Sequence, residues 1–364
     1  MFGFSVGCNS IVWQLAEKNT RNSEFEKDAD MKFTIRLLWM TALVFSLASA
    51  CQPTQAESQP TPFPVTLIPL PTLSPAIPLT EAPALEQTPI PLPLVPNFSH
   101  IVVIIFENKE FGSVIGNGKM SYFNLLASSY SLLTAHYATT HPSLPNYISL
   151  IGGDTFGITS NCEDCFINAP SLPDLIEQSG RTWKTYQDDM PDPCFVGSTL
   201  RYVQKHNPFI YFDPIRLDAE RCRRSVVPLT QMDADIAMND LPDFIFITPD
   251  ICYSSHDCDL SLADGWLKEQ MDKLYPVLES SGEPFLIILT WDEGQGDHSC
   301  CGLPETAGGR VATVLISPQV KSNFQDETPY SHYSILKTIS EAWGLSYLGH
   351  AADAETSLIT APWK

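Results

Sequence analysis

The chain of 364 residues carries 21 Lys and Arg against 42 Asp and Glu, a formal net charge of -21, with 44% hydrophobic and only 17% charged residues. That is enough apolar material for a sizeable core, and the acidic balance argues against a nucleic-acid groove, which needs a basic track. An anionic substrate stays open, because a bound divalent metal reverses the local sign at a site.

Residues 1–30 are polar, lack a core pattern, and read as an unstructured extension or an upstream start. Residues 31–51 then have the layout of an export signal: Met31 to Arg36 is a positive segment, Leu37 to Leu47 an apolar one, and Ala48-Ser49-Ala50-Cys51 a small-residue end. This resembles a bacterial lipoprotein signal in which Cys51 receives the lipid, although Ala48 stands where Leu is commonest; a plain secretory cut near Ala50 is the alternative. Either way the apolar segment is short for a membrane span. Residues 52–96 hold 13 of the 30 prolines and almost no charge, a composition that favours an extended tether. The catalytic domain is expected over 97–364, outside the cytoplasmic membrane, anchored through Cys51 or secreted.

Eight of the ten cysteines fall in that domain, an even number that suits disulfides in an exported chain. Cys162-Glu163-Asp164-Cys165 could also be a zinc half-site or redox pair, but no matching second pair follows. The pairing is not deducible from spacing.

The first strand is Ile101 to Phe106, six apolar residues running into Glu107-Asn108. A short helix is expected from Tyr122 to Ala127. Pro142 and Pro145 then pin the backbone before an apolar-periodic run and put Ser143 at a helix start, where backbone N–H groups favour an anion. On local pattern alone Ser143 reads as an N-cap ahead of a nucleophile; the candidate metal ligands elsewhere in the chain are what favour the nucleophile. A short helix is expected over Ser171 to Gln178, a strand over Thr182 to Tyr186, and a solvated basic turn over Arg221 to Arg224. The strand-like run from Phe244 ends at Asp250, ahead of His256-Asp257. A helix spans Asp264 to Leu278, and a strand from Phe285 to Thr290 runs into Trp291-Asp292-Glu293. Another strand, Val311 to Ser317, follows Gly308-Gly309-Arg310, and Tyr330 to Ser334 opens a last helix through Ile335, Ile339 and Trp343, with His332 near its start. Strands that repeatedly deliver polar side chains at their carboxyl ends, with helices between, predict a mostly parallel sheet with its site along that edge.

Collected together, Glu107, Asn108, Asp292 and Glu293 are hard oxygen donors, with His256, His298 and His332 as nitrogen ligands or acids. Such a set suits Mg, Ca or Mn, and with histidines Zn or Fe. A hydroxyl at a helix start beside a divalent metal is apparatus for phosphoryl transfer through a covalent phosphoserine.

At these residues the chain resembles a bacterial phosphoesterase family, of acid phosphatase and phospholipase C type, within the alkaline-phosphatase superfamily. The resemblance is carried by His100 to Asn108, His141-Pro142-Ser143-Leu144-Pro145-Asn146-Tyr147, Asp250 to Cys258, Trp291 to Gly294, Gly308-Gly309-Arg310 and His332-Tyr333-Ser334, over residues 99 to about 348. It implies a three-layer α/β/α sandwich around a mixed, mainly parallel sheet. It also implies metal ligation by Glu107, Asn108, Asp292 and Glu293, and a nucleophile at Ser143. Asn146 would contact the phosphoryl oxygens, with His141 and Asp250 on the substrate side, and His256 and His332 would serve the leaving group. The expected substrate is a small-molecule or lipid phosphomonoester, the short loops and short carboxyl end favouring monoesters. Phospholipase-type diesterase activity is the alternative, and an inactive surface binding protein of the same fold is a second. A sulfatase reading lacks the cysteine-x-proline-x-arginine setting, and a phosphomutase would need a second histidine-rich domain.

Overall fold

The computed structural model describes residues 93–364, all within the compact unit Gln87–Lys364. The extension at 1–30, the signal at 31–51 with Cys51, and all but the last four residues of the tether lie outside the described residues.

Everything is arranged about β1 (His100–Phe106), a strand buried along its whole apolar run. Its side chains alternate between two cores: Ile101, Val103 and Ile105 enter one, while Val102, Ile104 and Phe106 enter the other. A strand apolar on both faces is stable only when both are covered. The first face is covered by helices Ser143–Gly152, Leu172–Gln178 and His332–Trp343. The second is covered by Ser121–Ser129, Thr230–Met238 and Leu260–Ser280.

The remaining strands are β2 (Ser131–Tyr137), β3 (Trp183–Gln187), β4 (Val226–Pro228), β5 (Phe244–Thr248), β6 (Phe285–Trp291), β7 (Arg310–Ile316), β8 (Phe324–Asp326) and β9 (Tyr330–Ser331). They form one sheet in the order β4-β3-β5-β1-β6-β7-β2-β8, with β9 pairing β2. β7 runs antiparallel to both β6 and β2, and every other pairing is parallel. The three strands read from sequence as ending in polar groups, β5, β1 and β6, are therefore adjacent and point the same way. The expected α/β/α sandwich with a mixed, mainly parallel sheet is the architecture observed.

Several elements differ from expectation. β2 went unread because Ser131 to Tyr137 mixes polar and apolar residues without a clean period. Arg221 to Arg224 is not a solvated turn: it lies in helix Ala219–Ser225, and buried Arg221 pairs with Asp174 at 2.9 Å and Glu177 at 3.1 Å. The eight cysteines form four local disulfides, Cys162–Cys165, Cys194–Cys222, Cys252–Cys258 and Cys300–Cys301, which excludes a zinc half-site at Cys162. No helix among the described residues is long and apolar enough to cross a membrane.

Candidate active site

The register of β1 and β6 pairs Phe106 with Trp291, so the next residues, Glu107 and Asp292, leave neighbouring strands side by side. The Asp292 N–H donates to the Phe106 carbonyl at 2.9 Å. The chain then turns sharply at Asn108, whose φ of 36° lies in the left-handed region that Asn tolerates better than most residues. Its N–H donates to Asp292 Oδ1 at 2.8 Å. Its side-chain oxygen accepts from Lys109 Nζ at 3.1 Å.

Ser143 is the first residue of its helix and is buried over this pair. Its Oγ lies 3.1 Å from Glu107 Oε2 and 3.2 Å from Glu293 Oε1. The other Glu293 oxygen bonds His141 Nδ1, and His141 Nε2 lies 3.3 Å from the Gly296 carbonyl. Glu107, Asp292, Glu293, Ser143 and His141 thus form one connected cluster.

The other expected residues stand further back. Asn146 is fully buried, and its carboxamide is committed to the turn before the helix. Its oxygen accepts from the N–H groups of Thr139 and Thr140 and from the Thr139 hydroxyl, and its Nδ2 donates to the carbonyls of Thr140 and Pro142. The Asn146 side chain thereby braces the turn that carries His141 and Ser143. His332 is also fully buried; its Nε2 lies 2.6 Å from the Asp292 carbonyl and its Nδ1 3.2 Å from His136 Nε2. Asp250 pairs with Arg201 and caps its own turn, accepting from the N–H groups of Cys252 and Tyr253, both at 2.8 Å. His256 bonds Asp257 at 2.7 Å and Lys205 at 3.3 Å, and its ring centroid is 5.9 Å from that of His206. His298 is largely exposed, 4.0 Å from Glu110.

Two residues that touch the cluster were missed. Tyr147 donates its hydroxyl to Glu107 Oε1, and its position four residues after Ser143 on one helix was a usable signal, since such residues share a face. His206 sits with Nε2 3.1 Å from Glu107 Oε2, stacked on Tyr147 at 5.4 Å. It comes from a short 3-10 turn in the loop-rich stretch after Ser160, where no periodicity marks it.

Burial and mutual repulsion set the charges. For Glu107, burial works against ionisation, but His206, Tyr147 and Lys205 outweigh it and hold the carboxyl down at about 2. Asp292 goes the other way: burial and then the charges of Glu107 and Glu293 push it well above the carboxylate range. His332 is pushed down to about 4 by burial, so it is neutral behind Asp292. His141 is raised, chiefly by its bond to Glu293. Burial also lowers His206, although the charge of Glu107 and the bond to it work the other way.

Among the described residues no group of three or more His, Cys, Asp or Glu side chains is arranged as a ready metal site. The donor set nevertheless suits a hard cation. Three carboxylates converge in a buried spot, and Asp292 Oδ2 is buried there with no hydrogen-bond partner.

Comparison with known proteins resolves the class. The model of the phosphoesterase family matches residues 116–346. The chain belongs to the phosphoesterase family. It is 28% identical over 278 residues to a phosphatidylinositol-3-phosphatase of Mycobacterium tuberculosis, covering 74% of this chain and 85% of that protein. It is 32% identical over 266 residues to an acid phosphatase of Aspergillus fumigatus, covering 69% of this chain and 56% of that one. The phosphoesterase therefore spans little more than half of the fungal relative and most of the mycobacterial one. A solved structure from a glycosaminoglycan-metabolism locus of Bacteroides thetaiotaomicron shares the fold, with a TM-score of 0.51 at 12% identity over 72% of this chain and 81% of that one. The family and the curated relatives make the phosphoesterase a hydrolase of the phosphatase type.

Proposed function

We propose that this phosphoesterase is an exported phosphomonoesterase that works through a phosphoserine at Ser143. The observation that carries the reading is the Ser143 hydroxyl at a helix start, 3.1 and 3.2 Å from two carboxylates that can accept its proton. As Oγ bonds to phosphorus, the bond to the leaving alcohol breaks and the hydroxyl proton passes to the Glu107–Glu293 pair. His256, beside Lys205 and with its ring 5.9 Å from that of His206, would give a proton to the departing alkoxide. Water then gives a proton to His256 as it bonds to phosphorus, the bond to Ser143 Oγ breaks, and Oγ takes back the proton held by the Glu107–Glu293 pair, releasing inorganic phosphate. His332 stays neutral and holds the Asp292 backbone, and Asn146 keeps the 139–142 turn in register with the carboxylates.

Glu107, Asn108, Asp292 and Glu293 would hold a divalent cation, which supplies charge withdrawal and a lower hydroxyl pKa for the nucleophile. A phosphomonoester is favoured over a diester because both relatives carry phosphatase names, one of them for a phosphorylated inositol lipid. A lipid anchor at Cys51 belongs to the same proposal; the mass of the mature amino terminus tests it.

The deciding experiment quenches the enzyme with acid during turnover of p-nitrophenyl phosphate and seeks phosphate on Ser143 by peptide mass spectrometry. Parallel assays with bis-p-nitrophenyl phosphate and phosphatidylcholine, with and without chelator, rank the substrates. Phosphate on Ser143, with turnover abolished by chelator and by Ser143→Ala, is the expected result. Full turnover by the alanine variant would remove Ser143 as nucleophile, faster diester turnover would reverse the substrate ranking, and no turnover of any ester would favour the binding-protein alternative.

A further inference from the structure

Beyond the cluster, one carboxylate joins three separate segments at the rim of the sheet. Glu110 lies three residues past Glu107, with its side chain about a quarter exposed. One oxygen accepts from the N–H groups of Gln295 at 3.0 Å and Gly296 at 3.3 Å, and the other accepts from the N–H of Arg310 at 3.2 Å. The exit of β1 is thereby tied both to the loop that follows Glu293 and to the first residue of β7.

The glycines around this carboxylate are shaped to it. A Cβ on Gly294 would stand 2.3 Å from Glu110 Oε2. On Gly309, whose φ of +84° already disfavours a side chain, it would stand 2.9 Å from the same oxygen and 2.7 Å from the Gly296 carbonyl. That carbonyl is the one His141 Nε2 faces at 3.3 Å, while His141 Nδ1 bonds Glu293. Fixing Gly296 from its N–H side therefore fixes a carbonyl that orients His141. Fixing the 294–296 backbone fixes the root of Glu293, whose other oxygen faces Ser143.

We infer that Glu110 is a positioning residue of the phosphoesterase: its carboxylate sets the loop that aims Glu293 at Ser143 and orients His141 against Glu293. The inference rests on the Ser143 reading above. Partners that orient ligands and catalytic groups cost roughly 10- to 100-fold in activity or metal affinity when removed. A carboxylate that only stitched loops together would change stability and leave both of those intact.

The test compares wild type with Glu110→Ala, Glu110→Gln, Gly294→Ala and the Glu110→Ala/Gly294→Ala double variant at 25 °C. Each is measured for kcat and KM on p-nitrophenyl phosphate, for the dissociation constant of Mn²⁺ alone by its electron paramagnetic resonance signal, and for far-ultraviolet circular dichroism. Glu110→Ala should lower kcat about 10- to 100-fold and weaken Mn²⁺ binding about tenfold or more, with KM changed less than about threefold. Glu110→Gln, which keeps one acceptor oxygen, should fall between. Gly294→Ala should be damaging in the wild-type background and less so once Glu110 is truncated, because the 2.3 Å clash with its carboxylate is then gone and only the closer-than-usual contacts with Gly309 Cα at 3.2 Å and Arg310 N at 3.3 Å remain. A folded Glu110→Ala with wild-type kcat and Mn²⁺ affinity overturns the inference, and so do additive effects of the two substitutions. If Glu110→Ala does not fold, the glutamine and Gly294→Ala variants decide on the same measurements. Failure of the underlying reading is visible separately, in wild type that binds no Mn²⁺ or in an Ser143→Ala variant that turns over normally.

Discussion

Tyr147→Phe removes one oxygen atom and isolates one interaction. Glu107 is fully buried; His206, the Tyr147 hydroxyl and Lys205 favour its charge, and the Ser143 hydroxyl is a further donor to it. The phenyl ring left behind keeps its stacking on His206, so packing is preserved. Loss of a hydrogen bond to a buried charged group costs about 1.5–3 kcal/mol. If Glu107 must be ionised and correctly aimed during phosphoryl transfer, that becomes about a 10- to 150-fold fall in kcat/KM. The same substitution should show in the acid limb of stability in the metal-free protein. Glu107 is depressed from 4.5 to about 2 in the folded state, so it contributes stability that is fully present above pH 4.5 and is lost as pH falls toward 2. The whole displacement is worth about 3 kcal/mol, and removing one of its causes should move acid unfolding to higher pH. The assays are kcat/KM on p-nitrophenyl phosphate between pH 4 and 7, and unfolding by acid followed by circular dichroism after chelation. A variant within twofold of wild type in kcat/KM, with an unshifted acid midpoint, would refute the role given to Tyr147 and the view of Glu107 as the ionised centre of the cluster.

Asp188 is raised to about 6, first by burial and then by the charge of Asp250, so the folded protein holds this proton more tightly than the unfolded chain does. Wild-type stability from this group is therefore greatest at low pH and is lost as pH rises from 3.8 through 6; Asp188→Asn, which can keep the acceptor for the Trp266 indole, should stabilise the protein by about 1–2 kcal/mol at pH 8 after allowing for solvent screening and by almost nothing at pH 3.5, as read by denaturant unfolding. An equal gain at both pH values would point to a cause other than charge. Replacing Cys194 and Cys222 by serine opens a loop with a sequence separation of 28 and should cost about 3–4 kcal/mol in the same measurement, whereas replacing the adjacent Cys300 and Cys301 opens no loop and should cost far less.

The fold was legible where burial left a simple pattern. β1, β5 and β6 are apolar along most of their length because both faces are covered, and a helix such as Leu260–Ser280 shows an apolar stripe, so period and composition separated strand from helix. β2 lay near the edge of that logic, with a polar side chain at Thr134 and His136 drawn inward to meet His332, and its period was lost. The meeting of Glu107, Asp292 and Glu293 was legible for a related reason: a carboxylate directly after an apolar strand has few ordinary uses. His206 could not be read, because its approach to Glu107 depends on how a long irregular connection folds back. The bonds that Asn146 and Asp250 make to neighbouring backbone were not legible either, since residue type does not reveal them.

The pairing of Phe106 with Trp291 has a consequence for how such a centre can be altered. Strands in a sheet stand about 4.8 Å apart, so the nearness of Glu107 and Asp292 is imposed by the central ladder and not by flexible loops. Seven residue pairs from His100 and Phe285 onward hold that alignment. A slip of one residue in β6 would turn every side chain of the strand to the opposite core and bring Trp291 or Glu293 level with Glu107. The two carboxylates therefore share one degree of freedom with the core of the protein: their separation can be tuned by what surrounds them, but their alignment can be changed only by rebuilding the sheet.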